Sequence, residues 1–522
     1  MLKYSSLFNP QNVPQSAPLP GREAEMVRND AGGYVFTVNK WVALKRFLVL
    51  GTEGGTYYTT ERKHTLRAVA QVQAAIDEDA QRVFDTVKEL LVRRLVPRRD
   101  ACVFALALLV KKAGAWARPA VELMQTGTDA LHLAAAVNDL RGWGPTVRRA
   151  FARWYVDRTP SALAYQLVKY QQRDGWSHRD VLRLAHAKPP DDAHNQLFKW
   201  AVGKGGDWPE YVRPFEAAKG LDATQAAERA HLATLIRDHG LTREMLPTAA
   251  LNYAEVWEAL LDKMPHMAMV RNLANMTRVG LVAPWSAAEG IIVGRLAETS
   301  VSEAGLHPMH YYLAAATYAS GRGRQGRNWK PSTAIVEALN AAFVAAFKNV
   351  HPSGKRLLIA IDVSGSMTVP VVNTMIPTSA AAAAMALVLV KTEPLAHTIM
   401  FDTAVRGCDL TKCTSVTDVQ RITSQFSGGT DLAQPFMYAL ANKLPADGFV
   451  TYTDTETWAG RQHAAVAFDA FKRQVQPARA INVAMAATTY SQLDQRDPDV
   501  LEVVGFDASV PQIVAQFVNR EL

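Results

Sequence analysis

An aspartate and two serines at alternate positions carry the clearest chemistry in this sequence. The run reads Asp362-Val363-Ser364-Gly365-Ser366, a DxSxS pattern that directly follows a continuous apolar stretch at 357–361. Two later segments also offer oxygen ligands, Gly428-Gly429-Thr430-Asp431 and Tyr452-Thr453-Asp454. Mg²⁺ prefers oxygen ligands in near-octahedral geometry and retains water. The predicted divalent-cation site therefore combines two carboxylates with three hydroxyls: Asp362, Ser364, Ser366, Thr430 and Asp454.

A simpler interpretation of the same residues is structural. DxSxS arises by chance in roughly one chain in ten of this length, so the pattern alone is weak. Asp362 and the serines could merely cap a loop and the start of a helix. Their position after an apolar run favours the metal site. No His, Cys or second carboxylate cluster accompanies them, so hydrolysis at this metal is not expected.

The elements that position these residues alternate between strand and helix. Apolar runs typical of buried parallel strands occur at 357–361, 396–401, 449–453, 480–486 and 501–504. Helix-length segments lie between them or follow them, at 379–391, 431–444, 462–474 and 510–519. This alternation predicts a doubly wound α/β sheet over residues 356–522, with ligands at the carboxyl ends of its strands.

The preceding part of the chain has a different pattern. Residues 1–22 contain four prolines and predict an extended arm. From residue 24 to about 349, apolar residues recur with helical spacing, and Gly or Pro breaks separate the segments. Strand signals are nearly absent there, and no fixed repeat period is visible. Residues 23–355 are therefore predicted to form an all-α, HEAT-like array of antiparallel helix pairs.

The charge is divided unevenly between the two parts. The chain has a net charge of +8, but residues 356–522 hold 12 Lys or Arg against 16 Asp or Glu, which leaves 45 against 33 for residues 1–355. A positive field confined to the helical part suits a polyanion, and nucleic acid is the commonest one. Basic surfaces also serve solubility alone, so composition does not decide between these interpretations.

Membrane and extracellular roles are disfavoured by the composition. No window approaches the ~20 apolar residues of a spanning helix, and the N-terminus does not read as a secretion signal. Cys102, Cys408 and Cys413 show no CxxC pair, so neither a disulfide framework nor a structural zinc site is expected. We expect a cytoplasmic protein with reduced thiols.

The oxygen-ligand set resembles the metal-ion-dependent adhesion site of von Willebrand factor A domains. By that resemblance Ser364 and Ser366 are direct ligands, and Thr430 is a direct or water-mediated one. Asp362 and Asp454 would act directly or through water. In such domains a partner's acidic group completes the coordination, so an acidic protein ligand is implied.

The whole chain resembles the Ro autoantigen family, whose helical part is the TROVE domain. The matching segments are 31–35, 44–48, 51–58, the block 169–186 (KYQQRDGWSHRDVLRLAH), 307–308, 328–331, 362–367, 453–454 and 505–507. The resemblance implies a helical ring closed by the A-type domain. It also implies Y RNA binding on the outer surface, and single-stranded 3′ ends of structured RNA in the central hole.

Within this resemblance, specific basic residues become candidate RNA ligands. Lys169 and Arg173 are spaced i, i+4, so we expect them on one helix, about one turn apart, with His186 across the following turn. Their alternative interpretation is a solvated helix face and a core histidine. Arg148, Arg149 and Arg153 form a second cluster beside Trp154 and Tyr155, for which a core position is favoured. The loop 321–327 is either a phosphate grip or a flexible connection.

These observations predict a non-catalytic RNA-binding protein. The resemblance implies a role in RNA quality control, rRNA maturation or decay with 3′-to-5′ exoribonucleases, especially under stress. An alternative is an intracellular scaffold that holds an acidic partner through its Mg²⁺ site. A nuclease is disfavoured, because no clustered set of Asp, Glu and His with two-metal spacing is apparent.

Overall fold

The computed structural model describes residues 13–52, 59–96, 98–204, 208–323, 326–348, 350–371, 376–424 and 428–521. Residues 1–12 of the predicted arm, residues 53–58 of one matching segment, and residues 324–325 of the predicted arginine loop lie outside these ranges.

Helices dominate the first part of the chain, as the apolar spacing predicts. In chain order they are α1 (Lys40–Leu50), α2 (Glu61–Val92), α3 (Asp100–Lys112), α4 (Ala117–Glu122), α5 (Gly127–Leu140), α6 (Pro145–Val156), α7 (Pro160–Lys169), α8 (His178–Ala185), α9 (Asp192–Ala201), α10 (Arg213–Lys219), α11 (Ala226–His239), α12 (Ala254–Lys263), α13 (His266–Arg278), α14 (Ala287–Arg295), α15 (Glu298–Ala304), α16 (Pro308–Ala319) and α17 (Thr333–Ala345). The backbone of α2 breaks helical geometry at Asp79. Short strands interrupt this region: β1 (Met26–Arg28), β2 (Tyr34–Thr37), β3 (Gln172–Arg173) and β4 (Trp176–Ser177).

The second part is an α/β domain. Its elements are β5 (Leu357–Asp362), α18 (Thr378–Thr392), β6 (Ala396–Phe401), β7 (Val405–Gly407), α19 (Val416–Thr423), α20 (Gln434–Ala441), β8 (Gly448–Thr453), α21 (Ala464–Gln474), β9 (Arg479–Ala484), β10 (Tyr490–Ser491), β11 (Val500–Val504) and α22 (Val510–Val518). The main sheet has six strands in the order β11-β9-β8-β5-β6-β7, parallel except for the antiparallel edge strand β7.

The central strand β5 is buried on both faces. Leu357, Ile359 and Ile361 contribute to a core that continues into the helical region, while Leu358 and Ala360 belong to a second core on the other face. This alternation is the period of two that a strand imposes on its side chains. One face of the sheet therefore packs in a core that continues into the helical first part of the chain.

The alanine-rich helix α18 lies within the shared core. Its residues from Ser379 to Val390 are all buried. Small side chains let a helix approach the sheet and its neighbours closely on all sides, which explains why this apolar run stays inside the protein. None of the helices in the described part of the chain is long and apolar enough to cross a membrane.

The first residues of the chain cross to the α/β domain. Strands β1 and β2 form an antiparallel pair, and β2 also pairs with β10, so that Tyr490 lies opposite Thr37. Leu19, Met26 and Phe36 enter the second core of the α/β domain. We call residues 13–37 the N-terminal strap. The predicted extended arm is thus followed by two short strands that the sequence did not indicate.

Both ends of the helical array contact the α/β domain. Helix α1 packs against β11, and α16 packs against α19. The array also meets itself, because an Nη of Arg94 after α2 donates to the carbonyl of Ala304 at the end of α15 at 2.8 Å. The helices and the α/β domain therefore form a closed circuit within one chain.

Candidate metal centre and basic surface

Two neighbouring strands bring the predicted metal ligands to one edge of the sheet. Strands β5 and β8 are adjacent and parallel, so Asp362 at the end of one lies beside Thr453 at the end of the other. The Thr453 hydroxyl donates to Oδ2 of Asp362 at 2.6 Å, and the Ser364 backbone N–H donates to Oδ1 at 2.9 Å. Asp454 follows Thr453 directly and is 3% exposed.

Hydrogen bonds link the loops that carry the predicted hydroxyl ligands. Oγ of Ser364 and Oγ of Ser366 are 3.1 Å apart. Ser366 also hydrogen-bonds Asp454. The loop that carries Thr430 is tied to the DxSxS loop by the N–H of Gly365, which donates to the carbonyl of Gly428 at 2.8 Å. The structure thus links four of the predicted ligand residues, Asp362, Ser364, Ser366 and Asp454, through a chain of contacts. Thr430 lies on the loop that is tied to them.

The unsatisfied groups in this cluster fit a cation. Among the residues that the structure describes, the buried hydroxyl of Thr430 has no hydrogen-bond partner, which is unfavourable unless another ligand completes it. Burial, together with the charge of Asp454, raises the pKa of the Asp362 carboxyl. Burial likewise raises the pKa of Asp454. A divalent cation would neutralise both carboxylates and use the free hydroxyl.

Ligands of other types are not gathered nearby. Within the described ranges, no three or more His, Cys, Asp or Glu side chains are grouped in a way that could hold a metal ion. The candidate ligands in the described ranges are therefore two carboxylates and three hydroxyls, oxygen donors of the type that Mg²⁺ prefers.

Side chains packed against the Thr430 loop leave little room for a Cβ atom at two of its glycines. A Cβ on Gly428 would lie 2.7 Å from a carboxylate oxygen of Asp402, and one on Gly429 would lie 2.6 Å from the ring of Trp458. Both separations are too short for any side chain. The sequence did not indicate Asp402, which follows β6, or Trp458, which follows β8, because both approach the Thr430 loop only in the folded domain.

The N-terminal strap contacts the metal loops. Gln15 donates to Oδ1 of Asp431 at 2.5 Å and also bonds the hydroxyl of Thr457. Nδ2 of Asn29 donates to the carbonyl of Thr457 at 2.7 Å. A Cβ on Gly33 would lie 1.9 Å from that carbonyl, so only glycine fits there. The strap residues were missed from sequence because they lie more than 400 positions away along the chain.

The predicted RNA residues do not share one helix. Lys169 is the last residue of α7, but Arg173 lies in β3 of a two-stranded hairpin, so the i, i+4 prediction was wrong. Asp174 and Gly175 form the turn with φ of 49° and 77°. An Asp-Gly pair adopts such a hairpin turn readily. This turn signal outweighs the helical spacing.

Lys169 contacts two tyrosines and borders a cavity that other basic residues also line. Its Nζ donates to the Tyr165 hydroxyl at 2.8 Å and lies over the rings of Tyr165 and Tyr170. Burial lowers the pKa of Lys169, but the bond to Tyr165 and nearby groups raise it, with a net increase. The side chain borders a small cavity of about 60 Å³ that Arg243 and Lys263 also line. Sequence reasoning missed both of these residues.

Arg173 lies instead in a hairpin that packs against α5. It pairs across the hairpin with Trp176, whose ring stacks on Trp143 with centroids 5.9 Å apart. Trp143 immediately precedes α6, on which Arg148 and Arg149 are exposed. The hairpin therefore connects Arg173 to this second predicted cluster.

His186 is exposed and ends helix α8 in the left-handed conformation, with φ of 50° and ψ of 41°. The alternative interpretation of this residue as a core histidine was wrong. The core histidine of the block is His178, which is 4% exposed and whose Nδ1 lies 2.9 Å from the Tyr155 hydroxyl. Trp154 and Tyr155 are buried, as predicted.

The class of protein follows from these features. The chain joins a closed array of helices to an α/β domain whose sheet edge carries a DxSxS cluster. Family models agree with this division: the TROVE domain matches at 121–204 and 205–318, and the Ro60 vWA domain matches at 356–518.

The chain belongs to the Ro family. It is 38% identical over 533 residues to the RNA-binding protein RO60 of Deinococcus radiodurans, with 99% of each chain covered. It is 30% identical to RNA-binding protein RO60 of Caenorhabditis elegans, covering 95% of this chain and 90% of the relative. The crystal structure of the Deinococcus radiodurans RO (RSR) protein matches with a TM-score of 0.68 and 34% identity, over 93% of this chain and 100% of the other. The predicted family and fold class are thereby confirmed.

Proposed function

We propose that this protein binds RNA, as the names of its relatives describe for them. The observation that carries the proposal is the exposed pair Arg148 and Arg149 on α6. The Arg173 hairpin contacts Trp143, which lies shortly before this helix, through Trp176. Among the residues that the structure describes, none of these three arginines pairs with a carboxylate. Unpaired guanidinium groups on one surface are suited to phosphates.

We further propose which RNAs are bound. Y-type small RNA binds at the outer surface through Lys169, Arg173, His186, Arg148 and Arg149, and single-stranded 3′ ends of structured or misfolded RNA enter the closed circuit of helices. The protein would act without catalysis in the cytoplasm, with 3′-to-5′ exoribonucleases, in RNA quality control and rRNA maturation under stress. The positive charge of the helical part supports polyanion binding.

The test compares wild type with Lys169→Ala/Arg173→Ala and with Arg148→Ala/Arg149→Ala. Binding of a Y-like stem-loop RNA and of a structured RNA with a single-stranded 3′ tail is measured by fluorescence anisotropy at several salt concentrations. Each cation that no longer neutralises a phosphate should lower the slope of log K against log salt by about 1. We expect the Y-like RNA to be weakened and the tailed RNA largely retained.

A matched control is Arg118→Ala. Arg118 is an exposed arginine of α4 that pairs with Glu122 at 2.8 Å, so its removal should not affect RNA. Unchanged binding of both RNAs in both double variants would show that RNA contacts another surface. Degradation of either RNA by the purified protein would contradict the proposed absence of catalysis.

We also propose that the oxygen cluster holds Mg²⁺ and that an acidic group of a protein partner completes its coordination. The two buried carboxylates support this second role, as does the buried hydroxyl of Thr430, which lacks a partner among the described residues. Ser364, Ser366 and Thr430 would hold the ion with Asp362 and Asp454. The bound ion would supply a positive charge for an acidic ligand. A scaffold role of this kind is compatible with RNA binding elsewhere on the chain.

A further inference from the structure

Trp285 is exposed to an unusual degree for a large aromatic residue. It is 96% exposed, whereas Trp208 and Trp458 are 49% and 44% exposed. The residue lies in the connection between α13 and α14, beyond Pro284. An exposed indole offers a flat aromatic face on which a base can stack.

The backbone at Trp285 is held in an unusual conformation. Its φ is 68°, in the left-handed region that bulky residues rarely adopt. The turn is closed by the N–H of Ser286, which donates to the carbonyl of Ala283 at 3.0 Å. The N–H of Trp285 donates to a carboxylate oxygen of Glu289 at 2.7 Å. The ring is therefore presented by a fixed turn.

The same carboxylate connects this turn to a second element. Glu289 is buried, and its other oxygen accepts from the hydroxyl of Ser332. The N–H of Ser332 donates to the Tyr318 hydroxyl at 3.2 Å, and the ring of Tyr318 stacks on Trp329. One buried network thus fixes both the Trp285 turn and the segment that leads into α17.

That segment carries exposed cations. Arg322 and Asn328 form an isolated antiparallel bridge, and the N–H of Gly323 donates to the carbonyl of Arg327 at 2.7 Å. We call Arg322, Arg327 and Lys330 the basic turn. All three are exposed. Among the described residues none of them is ion-paired to a carboxylate, and the nearby Glu289 is already engaged on both oxygens.

We propose that Trp285 and the basic turn form a binding site for single-stranded RNA. A base stacks on the free indole face, and the adjoining phosphates are neutralised by Arg322, Arg327 and Lys330. Stacking on an aromatic ring tolerates any base, and arginines follow the backbone, so the site selects unpaired strands without reading their sequence. This inference rests on the proposed RNA binding and adds a site that is separate from Lys169 and Arg173.

The test measures anisotropy of a fluorescein-labelled short oligoadenylate with the full chain. Trp285→Gly removes the ring and places at this position a residue that adopts the left-handed backbone without strain. Thermal unfolding verifies that the variant is folded. Its affinity should fall about tenfold, in the range found when an aromatic platform under one base is removed. Trp285→Phe keeps a stacking face and should retain most of the binding. Trp208→Ala, which removes another exposed tryptophan, should bind as wild type does.

A second arm tests the role of the cations. Arg322→Ala/Arg327→Ala should weaken oligoadenylate binding, and its salt dependence should fall by about 0.7 in log–log slope for each phosphate that is no longer neutralised. Wild-type affinity in Trp285→Gly would overturn the proposal. If that variant instead loses concentration-dependent self-association in sedimentation while RNA binding is unchanged, the ring belongs to an interface between copies, and the proposal is likewise overturned.

The two proposals fail in distinguishable ways. If wild type binds neither stem-loop RNA nor oligoadenylate, the proposed function and this inference fail together. If Lys169→Ala/Arg173→Ala weakens stem-loop binding but Trp285→Gly binds oligoadenylate as wild type does, only the proposed Trp285 site is contradicted.

Discussion

At the scale of single residues, the hydroxyls of the proposed metal site have few hydrogen-bond partners among the described residues. Within the described part of the chain the buried hydroxyl of Thr430 has no hydrogen-bond partner, and the serine hydroxyls bond mainly to each other and to a carboxylate. Unsatisfied buried polar atoms cost about 1–3 kcal/mol each. Binding of a cation would recover that cost, so metal affinity should depend directly on each hydroxyl.

Removal of one hydroxyl should therefore weaken the binding of the metal ion. Ser364→Ala deletes an oxygen ligand without disturbing the strand, and we expect Mn²⁺ affinity to fall about tenfold or more, since an interaction with a charged group contributes about 1.5–3 kcal/mol. Titration calorimetry with the metal alone measures the change. Ser424→Ala, an exposed serine of the same domain, is the control. Equal affinities for Ser364→Ala and wild type would exclude Ser364 as a ligand.

At the scale of elements, the β3–β4 hairpin and helix α8 are supported by one buried histidine. His178 opens α8, lies against Trp154 with stacked rings 5.9 Å apart, and bonds Tyr155 of α6. Burial lowers the pKa of His178 to about 4. The folded protein therefore holds this imidazole neutral, whereas the unfolded chain protonates it near pH 6.5.

The sign of the pH dependence follows. The stability contributed by neutral His178 is fully present above pH 6.5 and is lost as the pH falls from there towards 4. Between pH 7 and pH 5 we expect the loss due to this residue to be about 2 kcal/mol, at 1.36 kcal/mol for each pH unit. Urea unfolding at both values should show a smaller loss in His178→Gln.

His239 provides the matched control, because it is an exposed histidine at the end of α11. His239→Gln should lose as much stability on acidification as wild type. If His178→Gln and wild type lose the same free energy of unfolding between pH 7 and pH 5, the acid sensitivity arises elsewhere. His307 and His310, whose pKa values are also lowered by burial, are then the next candidates.

At the scale of the whole molecule, closure depends on a buried ion pair. Arg46 of α1 is 0% exposed and contacts Glu502 of β11 at 2.5 Å. Its other donor bonds the carbonyls of Thr488 and Tyr490 at 3.0 and 2.8 Å. The pair thus fixes the first helix of the array to the strand that ends the sheet. Breaking a buried pair leaves an uncompensated charge.

Arg46→Met should weaken this closure. We expect a destabilisation of about 3–5 kcal/mol, because Glu502 remains buried without its partner. The effect is measured by the unfolding temperature and by the rate at which a protease cleaves the protein. Arg46→Met/Glu502→Gln removes both charges and should recover part of the stability. A single variant as stable and as resistant to protease as wild type would contradict a role for the pair in closure.

Much of the fold could be predicted because it rests on local periodicity. Helical spacing identified the array, and alternating strand and helix segments identified the α/β domain. The predicted strand at 396–401 is observed at Ala396–Phe401, and the predicted helix at 379–391 is observed at Thr378–Thr392. The Mg²⁺ site and the assignment of individual RNA residues remain predictions.

The prediction was wrong where a turn sequence lay within a segment of helical spacing. The spacing of Lys169 and Arg173 fits a helix, but Asp174-Gly175 prefers a hairpin turn, and the stack of Trp176 on Trp143 stabilises it. Short strands such as β1 and β2 have too few residues for a detectable alternation. Their formation depends on pairing with β10, which is distant in the chain.

The sequence by itself determined the family, the two-part architecture and the location of the positive charge, because each is encoded in local composition, spacing or a contiguous motif. Only the tertiary structure decided that Gln15 and Asn29 contact the metal loops, that Arg46 meets Glu502, and that Lys169 and Arg173 lie on different elements. These interactions join residues separated by hundreds of positions, or they depend on a turn that packing stabilises. No local pattern carries that information, since the pairing is set by which surfaces become buried together.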